Sequence, residues 1–321
     1  MIPDRKSNGI TETSALSPAE SPRLPPLPTP HGRLELVDVV FAYGADGNGE
    51  EPPPVIVDAD LSVAPGETIA VAGGGASGKT TLLCLLAGML RPNRGAALVD
   101  GRNPTDFDPV SVCNHIAYVP KHGVLLAGTI LDNITLFRPR LQEAALETAR
   151  LIGLDMTILR MPLGFDTRLG TSASDVLSRG LKQLIVVARA LATRPRVLLF
   201  DEANEGTDSG SDALLRSVLS LIRGQCTMVL ASRDPSILTI ADRVYDLVDG
   251  RPTGRKPIVP RPATPLPPPS PPFLRGSACG MTGGSTGWRW SSPAMPTRLS
   301  PVGSESADAL WRIIAPGSWT R

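Results

Sequence analysis

The run Gly73-Gly74-Gly75-Ala76-Ser77-Gly78-Lys79-Thr80 has the form GxxxxGK[ST], and its residue types suit the holding of phosphate. Glycines let successive backbone N–H groups curl around an anion without Cβ clashes. A helix starting where the loop ends adds the positive end of its dipole. Lys79 offers a cation to the β- and γ-phosphates of a nucleotide, Thr80 a hydroxyl to Mg²⁺, and Thr81 continues the phosphate-binding set. A second constellation is Asp201-Glu202, at the end of the apolar run Val197-Leu198-Leu199-Phe200. Asp201 suits the Mg²⁺ shell, often through water. Glu202 suits a general base that polarises an attacking water.

These groups need elements to carry them. Thr68–Ala72 reads as a buried strand running into the phosphate loop, and Lys79–Leu90 as the helix that follows. Further strands are expected at Leu34–Tyr43, Val55–Val63, Ala96–Val99, Ile116–Val119, Val197–Phe200 and Met228–Ala231. All are short and rich in Val, Ile and Leu, as buried strands are. Helices are expected at Gln142–Ile152, Gly180–Ala192 and Ser211–Arg223. In such an α/β arrangement, an apolar strand delivers Asp201 and Glu202 to the sheet edge where the phosphate loop opens.

Composition bounds the rest. The formal net charge of +1 gives no electrostatic case for nucleic acid or an anionic membrane. Cys84, Cys113, Cys226 and Cys279 form no CxxC pair, which argues against zinc or a disulfide framework. No apolar run approaches the roughly 18 residues of a membrane span, and residues 1–30 lack the apolar core of a secretory signal. Residues 1–32 are polar and proline-rich, and read as a disordered segment. A folded domain is expected over 33–255. Residues 256–321, which carry RPATPLPPPSPPF at 261–273, read as a disordered tail although they hold all four tryptophans.

Between the two constellations lies Leu177-Ser178-Arg179-Gly180-Leu181, followed by the helical KQLIVVARAL run. It resembles the LSGGQ signature of ATP-binding cassette (ABC) proteins, and the resemblance covers about 33–255. Tyr43, in Phe41-Ala42-Tyr43, matches the aromatic that stacks on adenine. Thr207-Asp208 matches the end of the D-loop, which crosses to a partner subunit. Asp242-Arg243 lies in a segment similar to the region after the switch. Two stretches, Gly128–Ile134 (GTILDNI) and Gly164–Thr167 (GFDT), resemble exporters in particular.

The resemblance implies a RecA-like P-loop NTPase core of α/β class. An antiparallel β subdomain is expected near Leu34–Val63 and a helical signature subdomain at about Leu125–Ser178. It implies two cassettes paired head to tail, with Ser178 and the backbone N–H of Gly180 donating to the partner's ATP. The implied cofactors are ATP and Mg²⁺. The implied partners are a transmembrane domain and a second cassette, with no nucleic acid. The implied location is the cytoplasmic face of the cytoplasmic membrane.

Three departures stand out. The family's Q-loop glutamine falls at Lys121, a donor that cannot coordinate a metal while charged. The first signature glycine is Arg179 and the signature glutamine is Leu181. The switch histidine falls at Ser232. Lys121, Ser232 and Glu202 are therefore the candidate catalytic set. The expected function is an exporter ATPase with slow hydrolysis. The alternative is a degenerate cassette that binds ATP and pairs with a competent one.

Overall fold

The computed structural model describes residues 24–44, 52–170, 177–205 and 208–254. In chain order the strands and helices begin with β1 (Leu34–Phe41), β2 (Ile56–Val63), β3 (Thr68–Ala72), α1 (Lys79–Leu86), β4 (Arg94–Val99), α2 (Pro109–His115) and β5 (Ile116–Val119). Then follow β6 (Gly128–Thr129), α3 (Ile130–Thr135), α4 (Gln142–Leu151), α5 (Leu154–Ile158) and β7 (Arg168–Leu169). The last are α6 (Arg179–Ala192), β8 (Val197–Asp201), α7 (Ser209–Ile222), β9 (Thr227–Ala231), α8 (Pro235–Leu238), β10 (Arg243–Val248) and β11 (Arg251–Gly254).

The main sheet has the order β11-β10-β3-β9-β8-β5. Its β10, β3, β9, β8 and β5 run parallel, with β11 antiparallel at the edge. Every residue of β3, β8 and β9 is buried, as expected of parallel strands covered on both faces. The two-residue period of a strand splits the core in two. Ala70, Leu198, Phe200, Met228 and Leu230 face a cluster built by α3 to α7. Ile69, Val71, Val197, Leu199 and Val229 face α1 and a second sheet. That sheet, β2-β1-β4, is antiparallel. It is the β subdomain expected near Leu34–Val63, with β4 added from beyond α1.

Several boundaries differ from expectation. Helix α1 stops at Leu86 rather than Leu90, because Gly88 turns into the left-handed region (φ 70°) with Pro104 filling the space a Cβ would need. Strand β1 stops at Phe41, leaving Tyr43 in irregular backbone. Strands β10 and β11 were not foreseen: β10 mixes charged with apolar residues, and β11 is an edge strand of sequence RPTG. The proline-rich segment is not free over residues 24–32. Leu27 is buried, its N–H donates to Ser111 Oγ (2.7 Å), and Thr227 Oγ1 donates to the Gly32 carbonyl (2.7 Å). An extended strap needs few donors of its own, so prolines do not prevent it from packing. Residues 1–23 and 255–321, with the tryptophan-bearing tail, lie outside the described residues, as do 171–176 of the helical region.

Candidate active site

Parallel strands bring their carboxyl ends to one edge, and the chemistry gathers there. From that edge leave the phosphate loop after β3, Lys121 after β5, Asp201-Glu202 at β8 and Ser232-Arg233 after β9. The loop is built tightly on one side and open on the other. A Cβ on Gly73 would meet Ser77 Oγ at 2.6 Å and the Leu247 carbonyl at 2.8 Å, whereas one on Gly74 would meet nothing within 4 Å. Ala76 takes φ 58°. Gly78, at φ 97°, is the N-cap of α1, and a Cβ there would lie 3.0 Å from Ile56 Cδ1.

Lys79 curls back over this loop. Its Nζ donates to the carbonyls of Gly73 (3.0 Å) and Gly74 (2.8 Å), lies 3.4 Å from Ser77 Oγ, and pairs with Glu202 Oε1 at 3.1 Å. A buried ammonium over a glycine cradle fits a phosphate group. Beside it, Thr80 Oγ1 donates to Asp201 Oδ2 (2.8 Å), and the Tyr118 hydroxyl donates to the same oxygen (2.9 Å). Burial, then the Asp201 charge, pushes the Tyr118 hydroxyl well above its ordinary pKa, so it stays a donor. The hydroxyl of Thr80 and the carboxylate of Asp201 are hard oxygen donors, and suit Mg²⁺. Tyr118 is a site residue the sequence did not single out. It sits on β5, the edge strand of the main sheet, and only the pairing of β5 with β8 brings it to Asp201.

Glu202 is surrounded by cations. Oε1 faces Lys79 and Arg233 Nε (3.3 Å), while Oε2 accepts from Lys121 Nζ (2.8 Å). Lys121 also pairs with Glu205. Burial alone would raise the Glu202 pKa. Hydrogen bonds from Lys121 and Lys79 outweigh it and bring the carboxyl down to about 2. The same carboxylate, with Glu205, raises the Lys121 pKa. Glu202 has φ 44°, a conformation costly for a residue with a Cβ, and its N–H donates to the Ala231 carbonyl (2.9 Å).

The loop that carries Lys121 is tied to the signature helix. Gln183 of α6 is buried. Its Nε2 donates to the Pro120 carbonyl (3.0 Å) and its Oε1 accepts from the Gly123 N–H (3.2 Å). Both sides of Lys121 are thereby fixed to one side chain. Next to Glu202 opens a cavity of about 300 Å³, lined by Glu202, Asn204, Glu205, Ser232, Arg233 and Asp234. Ser232 is buried, and its Oγ accepts from the Asp234 N–H (3.1 Å).

The remaining expected residues stand further out. Tyr43 is half-exposed, sets its ring edge-on to Phe41 (centroids 5.0 Å apart), and shares a hydrogen bond with Thr81 Oγ1 (3.0 Å). Ser178 caps α6, accepting from the Leu181 N–H (3.2 Å), and is exposed. Gly180 is buried against the start of α7, where Asp208 caps the helix and accepts from Ser211 N (2.9 Å) and Oγ (2.8 Å). Thr207 lies outside the described residues. A Cβ on Gly180 would stand 2.1 Å from Ser211 Oγ and 2.5 Å from Asp208 Oδ2. Gly180→Ala is therefore expected to cost about 1–3 kcal/mol by overpacking, read as a lowered denaturation midpoint.

A polar hub holds the segment between Lys121 and α6. Asn133 is fully buried. Its Nδ2 donates to the carbonyls of Leu126 and Thr129 (2.9 Å each), and its Oδ1 accepts from Leu126 N–H (2.7 Å) and Arg189 (3.0 Å). Arg189 adds bonds to the carbonyls of Asn133 (2.7 Å) and Val124 (3.0 Å). Asn133→Ala strands several of these groups, at about 1–3 kcal/mol for a buried partner left unmet. The expected result is a melting temperature lower by several degrees; an unchanged value would show that the hub does not hold the segment.

The sequence profile described as ABC transporter matches residues 56–205. The alpha-hemolysin translocation ATP-binding protein HlyB of Escherichia coli O157:H7 is 34% identical over 225 residues, which is 70% of this chain and 31% of that protein. A putative multidrug export ATP-binding/permease protein of Staphylococcus aureus (strain NCTC 8325 / PS 47) is 30% identical over 226 residues, covering 70% of this chain and 38% of that protein. The chain spans about a third of the length of these curated relatives. Among solved structures, a bacterial Atm1-family ABC exporter with ATP bound matches with a TM-score of 0.64 at 28% identity, over 73% of this chain and 40% of that one. The fold is that of a P-loop NTPase. The profile match and the exporter relatives that align across it show that residues 56–205 are an ATP-binding cassette of the ABC transporter family.

Proposed function

We propose that this chain is the ATP-hydrolysing motor of an exporter, acting as a peripheral subunit or domain on the cytoplasmic face of the cytoplasmic membrane. One observation carries the reading: Lys79 of the phosphate loop and the acid Glu202 meet at 3.1 Å across the sheet edge. A phosphate drawn to Lys79 is thereby delivered to a base. Thr80 and Asp201 would hold Mg²⁺, which would supply charge neutralisation to the phosphates. The cations around Glu202 hold its carboxyl below the usual carboxylate range and so weaken it as a base. Lys79 and Lys121 are the groups an arriving phosphate competes for, and their diversion restores basicity to Glu202. Tyr43 offers its exposed ring to the adenine. Ser178 and Gly180, at the start of α6, face the nucleotide of a second cassette, with Asp208 behind them.

The partners proposed are that second cassette and a transmembrane domain. Among the described residues no helix is long and apolar enough to cross a membrane. Val124, Leu126, Leu159 and Leu163 are exposed apolar side chains between the Lys121 loop and the signature, and offer the transmembrane domain an apolar surface. Purified chain, at a concentration that lets two cassettes pair, is expected to bind Mg-ATP and release phosphate. Nucleotide binding without any phosphate release would remove hydrolysis from the reading; neither binding nor release would overturn it.

A further inference from the structure

The switch position is occupied by Ser232, whose short side chain is turned inward. Its Oγ accepts from the Asp234 N–H, its own N–H donates to the Val71 carbonyl (3.2 Å), and it is buried. The next residue points elsewhere. Arg233 Nε is 3.3 Å from Glu202 Oε1, the same oxygen that Lys79 Nζ approaches at 3.1 Å. At its other end, an Arg233 guanidinium nitrogen lies 3.2 Å from where a Cβ on Gly75 would be. The guanidinium thus bridges the phosphate loop and the catalytic acid, over the wall of the cavity beside Glu202. Glu202 is its one ion pair among the described residues, and the side chain is half-exposed. It can therefore move with whatever anion replaces the carboxylate.

We propose that Arg233 is the cation that reads the terminal phosphate of ATP in this chain, in the place left by the missing switch histidine. The argument is convergence. Two cations already share one carboxylate oxygen, and an anion that takes that oxygen's place at Lys79 inherits Arg233 as well. A planar fork of five donors matches phosphate oxygens better than a serine hydroxyl. The absence of a Cβ at Gly75 gives the fork room to lie against the loop. Because the proposed contact is to the terminal phosphate, it distinguishes ATP from ADP.

The proposal rests on the site being an ATP site, and the test separates the two. Mg-ATP and Mg-ADP are each titrated against a fluorescent nucleotide on the wild-type chain, Arg233→Ala, Arg233→Lys and Lys79→Ala. The loss of one charge-assisted contact predicts that Arg233→Ala weakens ATP about 10-fold or more while ADP holds. Arg233→Lys is expected to recover part of the preference, because charge returns without the fork. Unchanged ADP binding also reports that the variant is folded. Nucleotide binding that depends on Lys79, with an ATP-to-ADP preference unmoved in Arg233→Ala, overturns the role of Arg233 and leaves the ATP site standing. A wild-type chain with no Lys79-dependent binding overturns both.

Discussion

Glu202→Gln is expected to lower Mg-ATP turnover by about 10²–10⁴-fold, the range a general base contributes, while ATP binding holds or tightens. The direction of the binding change follows from the ion pairs. Wild-type Glu202 engages Lys79, Lys121 and Arg233, and a phosphate must compete with it for all three. Glutamine keeps the shape and removes the charge, so the cations are released to the ligand. Single-turnover phosphate release and an equilibrium binding curve on the same preparation check both halves. Turnover within a factor of a few of wild type would remove Glu202 from the role of base.

Lys79→Ala is expected to weaken ATP binding about 100-fold or more, since hydrogen bonds to charged groups are worth about 1.5–3 kcal/mol each and this ammonium reaches two phosphates in the proposed site. The fold is expected to survive. Lys79 is buried, but Glu202 retains Lys121 and Arg233, and so is not left as an unpaired buried charge. Thermal denaturation with and without Mg-ATP separates the two effects. The variant is expected to melt near the wild-type temperature alone and to lose the stabilisation that ATP gives to the wild type. Retained ligand stabilisation would show that the loop backbone suffices.

The site was legible where chemistry is local and opaque where it depends on neighbouring strands. Gly73 to Thr80 and Asp201-Glu202 announce themselves by type and order, and the parallel sheet brings them together as a buried apolar strand requires. Ser232 and Lys121 were visible only as departures from a pattern, and the pattern said nothing of what replaces a lost side chain. Lys121 takes its meaning from Glu202 and Glu205, which are about eighty positions away and adjacent only because β5 pairs with β8. Arg233 follows a strand, a place where sequence alone gives no reason to expect more than a solvated charge, and only the fold sets it against Glu202. Gly180 was read as a contact for a partner's phosphate, yet the structure gives it a second reason to be glycine: Ser211 and Asp208 fill the space. The strap at 24–32 packs against the domain despite its prolines, because proline content speaks of secondary structure and not of packing.

The amide of Gln183 has a kinematic consequence. It clasps the backbone on both sides of Lys121 while sitting in the first turns of α6. While both bonds hold, a rotation of α6 about its axis would carry the backbone around Lys121 with it. The helix would then act as a crank and the 120–123 loop as its connecting rod, so that a tilt of the signature end would displace an ammonium beside Glu202. Mechanical motion and charge at the reacting centre are then one coordinate, and the stiffness of that linkage sets how much of a helix movement arrives as electrostatics.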